Sequence, residues 1–232
     1  MIPKTIHYCW FGGNPLPKKA QKCIASWKKH CPNYELVRWD EKNCDLDGIP
    51  YVRYCYQNKK WAYLSDYFRL QAVYEHGGLY FDTDVEVIAS MDDLLENKAF
   101  FCFENDQNVA SGLGFGAEKG SPFIKAMMEQ YDYENEESVR LVGCPTLNTR
   151  ALLPFGLQLN GKKQDLNGAL ILPAEYMNPY DDPTGRLSLT DHTVSIHWYS
   201  KSALSKKAIW RSRITRPIHR WFGVDSLKWL KK

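Results

Sequence analysis

The chain has 232 residues, 44% hydrophobic and 25% charged, with a net charge of +3, a balance that fits a folded domain and excludes a disordered or fibrous one. No run of about eighteen apolar residues occurs, and the N-terminus lacks the basic, apolar and small-residue order of a secretory leader, so a cytoplasmic protein is expected. Cys9, Cys23, Cys31, Cys44, Cys55, Cys102 and Cys144 are odd in number and form no CxxC pair, which argues against a disulfide framework or a zinc ribbon.

Residues 2–13 read as a buried strand stopped by Gly12-Gly13, Pro17 opens a helix that runs to about Cys31-Pro32, and residues 34–39 alternate like a second strand. A strand, helix, strand order predicts parallel pairing, with ligands bound beyond the carboxyl ends of the strands, where Trp10 falls. Residues 61–76 have helical length and end at Gly77-Gly78; Trp61, Leu64, Phe68 and Ala72 cover one side, Tyr63, Tyr67, Leu70 and Tyr74 another. Such a helix is expected to be largely buried, yet Asp66 and Arg69 share one narrow face of it, and buried charges need partners. An internal salt bridge and a polar site both satisfy that need.

Next comes Gly77-Gly78-Leu79-Tyr80-Phe81-Asp82-Thr83-Asp84-Val85, a turn, an apolar strand and two carboxylates one residue apart. On an extended chain those carboxylates project from the same side and can hold a hard divalent cation. Residues 85–88 continue apolar, 99–104 form another strand, and 110–117 are a glycine-rich strand or loop lacking the GxGxxG spacing of a dinucleotide loop. Helices follow at 121–128, with Pro122 first, and after Gly143-Cys144-Pro145. Residues 154–191 are loop-rich with scattered strands, and 194–201, containing His197, Ser200 and Lys201, are the last strand. Residues 201–232 hold ten of the thirty Lys and Arg and one acid, Asp225, a net of +9 against −6 elsewhere. With its interleaved Trp, Ile and Leu, this tail reads as a segment for an anionic membrane surface or as a helical cap with a solvated basic face; nucleic-acid binding has no motif behind it.

An EF-hand reading of Asp82, Asp84 and Glu86 fails at Val87, where glycine is needed, and at Asp93, where the bidentate Glu belongs. An aspartyl-phosphate-type phosphatase with Asp82 as nucleophile, Asp181-Asp182 supplying a distal metal pair, is a stronger rival, but its motif belongs on the first strand of its fold.

The segment WAYLSDYFRLQAVYEHGGLYFDTDVEV resembles the signature of family 32 of the glycosyltransferases, a DXD sugar-transferase group of bacterial capsule enzymes and yeast mannosyltransferases, with the clostridial glucosylating toxins as distant relatives. IPKTIHYCWFGG, GCPTLNTRAL and SIHWYSKSA resemble further segments of that family. The resemblance implies a GT-A fold: one Rossmann-like α/β domain over 1–203, a mixed sheet flanked by helices, with a basic C-terminal helical tail over 204–232. It implies a retaining transferase that uses Mn2+ or Mg2+ and moves a hexose from a nucleotide sugar, expected to be a UDP-hexose, to a glycan acceptor in surface polysaccharide synthesis. A lipid-linked acceptor would give the tail a purpose at the inner face of the cell membrane. A silent glycan-binding module is the non-enzyme alternative. Carried over, Trp10 would stack on the donor base, Asp66 would bind donor hydroxyls, and Arg69 would contact sugar or diphosphate. Asp82 would hold ribose and sugar hydroxyls, Asp84 would ligate the metal, His197 would complete the metal or diphosphate site, and Ser200 and Lys201 would lie near the phosphates. Asp66, Arg69, Asp82 and Asp84 form the expected catalytic set. No carboxylate is marked out as a base for the acceptor; Glu104, Asn105, Asp106 and Asn108 are candidates for lining the donor sugar.

Overall fold

β1 (Thr5–Cys9), α1 (Lys18–His30) and β2 (Glu35–Trp39) form the expected unit, with β1 and β2 parallel from Thr5–Glu35 to Cys9–Trp39. In this computed structural model residues 1–200, 210, 215–217, 219–221 and 223 are described. α1 buries Ala20, Cys23 and Trp27, spaced for one helical face, and ends on Lys28, Lys29 and His30, which suit its negative end. The Trp27 indole, wholly buried, donates to Val85 O at 2.8 Å and so ties α1 to the chain beyond the carboxylate pair.

An unexpected helix, α2 (Pro50–Gln57), follows; at eight residues it has too few repeats to show a period, and its buried Tyr51, Val52 and Cys55 form it by packing. α3 (Trp61–His76) has the expected bounds and buries Asp66 and Arg69 together with Leu64, Phe68, Leu70, Ala72 and Val73. Gly77 and Gly78 reverse the chain at φ +70 and +107, and a Cβ on Gly78 would lie 2.7 Å from Thr5 O. That contact lets β3 (Gly78–Tyr80) lie parallel to β1.

Asp82 to Asp84 do not continue β3. A turn closed by the Val85 amide on Asp82 O, 3.0 Å, leads into β4 (Val85–Val87), so the two carboxylates are gathered by a turn and not by strand alternation. β5 (Ala99–Asn105) sends Phe101 and Phe103 to one core and Phe100 and Cys102 to the other, as the two-residue strand period requires. β6 (Asn108–Val109), β7 (Phe115–Ala117), α4 (Pro122–Met128) and α5 (Cys144–Leu152) come next. β8 (Gln164–Asp165), β9 (Ala169–Leu172), β10 (Tyr180–Asp181), β11 (Arg186–Leu187) and β12 (Ser195–His197) complete the strands.

The main sheet has eight strands in the order β2-β1-β3-β7-β5-β9-β8, with β6 paired to β5. Parallel pairing holds for β2, β1 and β3 and again for β5 and β9, but β7 runs antiparallel to both β3 and β5, so the sheet is mixed. β1, β3, β5 and β9 therefore all end at one edge. α2 to α5 pack over one face of the sheet, and α1 with β4 over the other. β12 pairs antiparallel with β4, and residues 198–200, expected within the last strand, leave it.

In the tail, Trp210, 215–217 and 219–221 are helical. Arg216 ion-pairs with Asp182 and donates from Nε to Asp182 O at 3.0 Å, while Arg186 Nη2 donates to Arg220 O at 3.0 Å. The remainder of the tail, Lys201 and the 203/204 boundary included, lies outside the described residues.

Candidate active site

A cleft of about 580 Å3 opens where β1, β3 and β5 end, the edge at which sheets of this kind take ligands. Trp10, Asp66, Arg69, Asp82, Asp84 and His197 all line it, as does Ser200. Seven of the eight expected site residues thus share one cavity, and the eighth, Lys201, is outside the described residues.

Arg69 is the centre of the buried part, 3% exposed. Its Nη2 reaches Asp66 Oδ1 at 2.9 Å, Asp82 Oδ1 at 3.0 Å and Ser65 Oγ at 3.1 Å, while Nε donates to Ser65 O at 3.1 Å. Its Nη1 faces Ser111 Oγ at 3.4 Å and Cys144 Sγ at 3.7 Å. The internal salt bridge and the polar site are therefore one arrangement. Burial works against the guanidinium charge, but Asp82 and Asp66 outweigh it and hold Arg69 charged. Burial raises the Asp66 carboxyl to about 6 against the pull of Arg69, and raises Asp82 for the same reason. Such a group holds its geometry because removing any member leaves a buried charge unpaired.

Tyr80, expected only as part of the apolar strand, belongs to this group. Its hydroxyl donates to Asp82 Oδ1 at 2.9 Å, and the Arg69 guanidinium lies 4.9 Å from its ring centre. The signal was there in the two-residue spacing, since Tyr80 and Asp82 fall on one side of the chain as β3 ends. Gly112 completes the wall: a Cβ there would come within 2.8 Å of Asp82 Oδ2 and 3.3 Å of Arg69 Nη1. The close approach expected of the glycine-rich stretch is thus an approach of side chains.

Asp84 is held from the far end of the chain. His197 Nε2 lies 3.2 Å from its Oδ1, and the Ser200 amide donates to its Oδ2 at 2.6 Å. Tyr199 takes φ +47, a left-handed value rare for a side chain of its size, as residues 198–200 bend over Asp84. Burial alone would raise Asp84, but His197 and Ser200 reverse this and keep it well below the usual carboxylate range. His197 is correspondingly raised, Asp84 outweighing burial. Asp82, Asp84 and His197 bring one ligand atom each to within 4.8 Å of one another. Two carboxylates and an imidazole make an oxygen-rich donor set that fits Mn2+ or Mg2+.

Trp10, half-buried, has its indole N–H fixed on Asn14 O at 2.6 Å. The phosphatase alternative gains no support: Asp82 Oδ1 accepts from both Arg69 and Tyr80, Asp182 is taken by Arg216, and Asp181 by Thr184.

Residues 17–101 match the family described as the glycosyltransferase sugar-binding region containing the DXD motif. The chain is 30% identical over 127 residues to inositol phosphoceramide mannosyltransferase 3 of Schizosaccharomyces pombe, covering 53% of this chain and 35% of that protein. It is 27% identical over 127 residues to an initiation-specific alpha-1,6-mannosyltransferase of Candida albicans, covering 50% and 32%. The matches thus take in about a third of the length of these relatives. Among solved structures the PaToxG glycosyltransferase superposes with a TM-score of 0.52 at 19% identity, covering 66% of this chain and 68% of that one, a likeness of fold. The resemblance read from the sequence is borne out: residues 17–101, on a GT-A framework, are similar to the DXD-containing sugar-binding region of the glycosyltransferases.

Proposed function

We propose that the chain is a metal-dependent retaining hexosyltransferase, with a catalytic domain over 1–203, that moves a hexose from a nucleotide sugar, a UDP-hexose, to a glycan acceptor in surface polysaccharide synthesis. The observation that carries this reading is the convergence of Asp82, Asp84 and His197 beside the Arg69 group in one cleft. Departure of a nucleoside diphosphate leaves an oxocarbenium-like sugar and puts negative charge on the leaving oxygen. A divalent ion held by Asp84 and His197, with Asp82 beside them, supplies Lewis-acid stabilisation of that charge when bound. Trp10 offers an apolar face for the base. Asp66 and Asp82, fixed by Arg69, present carboxylate oxygens to sugar hydroxyls, and Arg69 adds fixed positive charge behind them. Ser200, whose amide holds Asp84, lines the cleft on the side assigned to the diphosphate, with Lys201 next to it in sequence. In front-face transfer the departing phosphate oxygen takes the acceptor proton.

The test is nucleotide release from a panel of UDP- and GDP-hexoses, with and without Mn2+, scored with the anomeric configuration of the product. GDP-mannose belongs in the panel because two relatives are mannosyltransferases by name. Absence of release from every donor sinks the reading; hydrolysis of simple phosphate esters that depends on Asp82 would restore the phosphatase.

The tail, 204–232, is proposed to hold the domain at the inner face of the cell membrane, against a lipid-linked acceptor. Its net charge and the exposure of Trp210 and Trp221, 66% and 81%, support this. Among the described residues no helix is long and apolar enough to cross a membrane. Full-length and 1–200 protein should partition differently onto phosphatidylserine vesicles; equal partitioning removes the proposal.

A further inference from the structure

Four carboxylates line the cleft: Asp66, Asp82, Asp84 and Glu104. The first two are engaged by Arg69, and the third by His197 and Ser200. Glu104, the penultimate residue of β5 and half-buried, has one side-chain hydrogen bond, 3.3 Å, which Tyr199 Oη donates to its Oε1. Among the described residues no Lys, Arg or His nitrogen is within ion-pair distance of it, and His197, which already pairs with Asp84, feels its charge only from further off. A half-buried carboxylate lining a cleft with so little to satisfy it is a strong acceptor awaiting donors, and sugar hydroxyls are donors of that kind.

Its place in the sheet says which sugar. Along the edge of the sheet Trp10 follows β1, Asp82 and Asp84 follow β3, and Glu104 ends β5, two strands further on and about 10 Å away in sheet spacing. If the base lies at Trp10 and the diphosphate at Asp84, the hexose reaches forward from there, and Glu104 stands on the side from which the second sugar must come. The backbone of Glu104 is fixed independently, since its carbonyl accepts from Asn178 Nδ2 at 2.9 Å. We infer that Glu104 is the acceptor-binding carboxylate, taking a hydrogen bond from a hydroxyl of the incoming sugar and orienting it for transfer. This rests on the transferase reading.

The experiment compares wild type with Glu104→Gln and Glu104→Ala, measuring nucleotide release from a UDP-hexose in water alone and with a panel of p-nitrophenyl hexopyranosides as acceptors. The ratio of acceptor-stimulated to water-only release should fall about tenfold to a hundredfold in Glu104→Ala, the loss expected when a charge-assisted hydrogen bond goes, with a raised acceptor KM. Glu104→Gln, of the same shape, should fall less. Calorimetric binding of UDP with Mn2+ reports whether the donor side of each variant is formed. An unchanged ratio overturns the inference, as does a parallel fall of both rates, which would make Glu104 a donor or structural residue. Failure of every glycoside to stimulate the wild-type protein overturns the assignment of this side of the cleft to a sugar acceptor. No release from any donor sinks the transferase reading itself.

Discussion

The two halves of the polar site are built in opposite ways. The Arg69 half is local in sequence: Ser65, Asp66, Arg69, Tyr80 and Asp82 come from one helix and the strand after it, joined by Gly77-Gly78, and its ion pairs are buried and mutually satisfied. The Asp84 half is assembled across 116 residues, from a turn and from the bend after β12, and Asp84 lines the cleft with its side chain 16% exposed, less than that of Asp82. The first half behaves as part of the core that happens to face a ligand, the second as a fastening made by residues 197–200. Mutations in the first should therefore be read mainly in stability, and in the second mainly in activity.

The largest effect should come from Arg69→Met. It strands the buried Asp66 carboxylate and the partly buried one of Asp82, and about 3–5 kcal/mol of folding free energy should be lost in urea titrations, with raised loss at high pH as both ionise. A loss below about 1 kcal/mol would show the pair to be solvated and the contrast between the halves to be false.

Acid should act in opposite senses on buried His7 and on the carboxylates of the Arg69 half. His7, 1% exposed, binds Gly77 O through Nε2 at 2.8 Å and accepts from Trp39 Nε1 at 3.1 Å, and burial lowers its pKa from the ordinary value to about 4. Because the unfolded chain takes up the proton first, stability contributed by neutral His7 is complete above about pH 6.5 and is lost as pH falls towards 4, on the order of 3 kcal/mol. Asp66, raised to about 6, pulls the opposite way over the overlapping range, since its folded form binds the proton more tightly. In Asp66→Asn the fall in stability on acidification should be steeper than in wild type; an identical pH profile would remove Asp66 from the account.

Asp84→Ala should lower Mn2+-dependent nucleotide release about a hundredfold, about 2.7 kcal/mol in barrier, while shifting the urea midpoint little. Full activity would take the cation away from this turn. Trp10→Ala should have the smallest effect, weakening UDP affinity about tenfold in calorimetry with turnover at saturation nearly unchanged. Unaltered affinity would make the indole a wall residue only.

Much of the first half was legible in the sequence because its signals are local. The bounds of α3 follow from apolar coverage and a glycine stop, and Asp66 with Arg69 stood out as charges on a helix with no solvent face. What was not legible depends on partners distant in the chain. Ala169–Leu172 reads as any short apolar run until β5 lies beside it, and α2 is too short to show a period. The turn between Asp82 and Asp84 was hidden because DTD between apolar residues also suits an extended chain; Trp27, bonded to Val85 O from another element, helps to fix the alternative. Glu104 could be named only as one of four candidates for lining the donor sugar, because its single hydrogen bond, to Tyr199, is a property of the assembled cleft.

The 116 residues between Asp84 and Ser200 also have a meaning in time. A ribosome adding about 5–20 residues per second delivers Ser200 roughly 6–23 s after Asp84, so the Arg69 cluster has all its members long before Asp84 has its partners. A chain released between residue 102 and Ser195 would carry the whole DXD segment and the ion pairs of Arg69 but neither His197 nor the Ser200 amide. Synthesis past Ser200 is itself the step that arms the cleft.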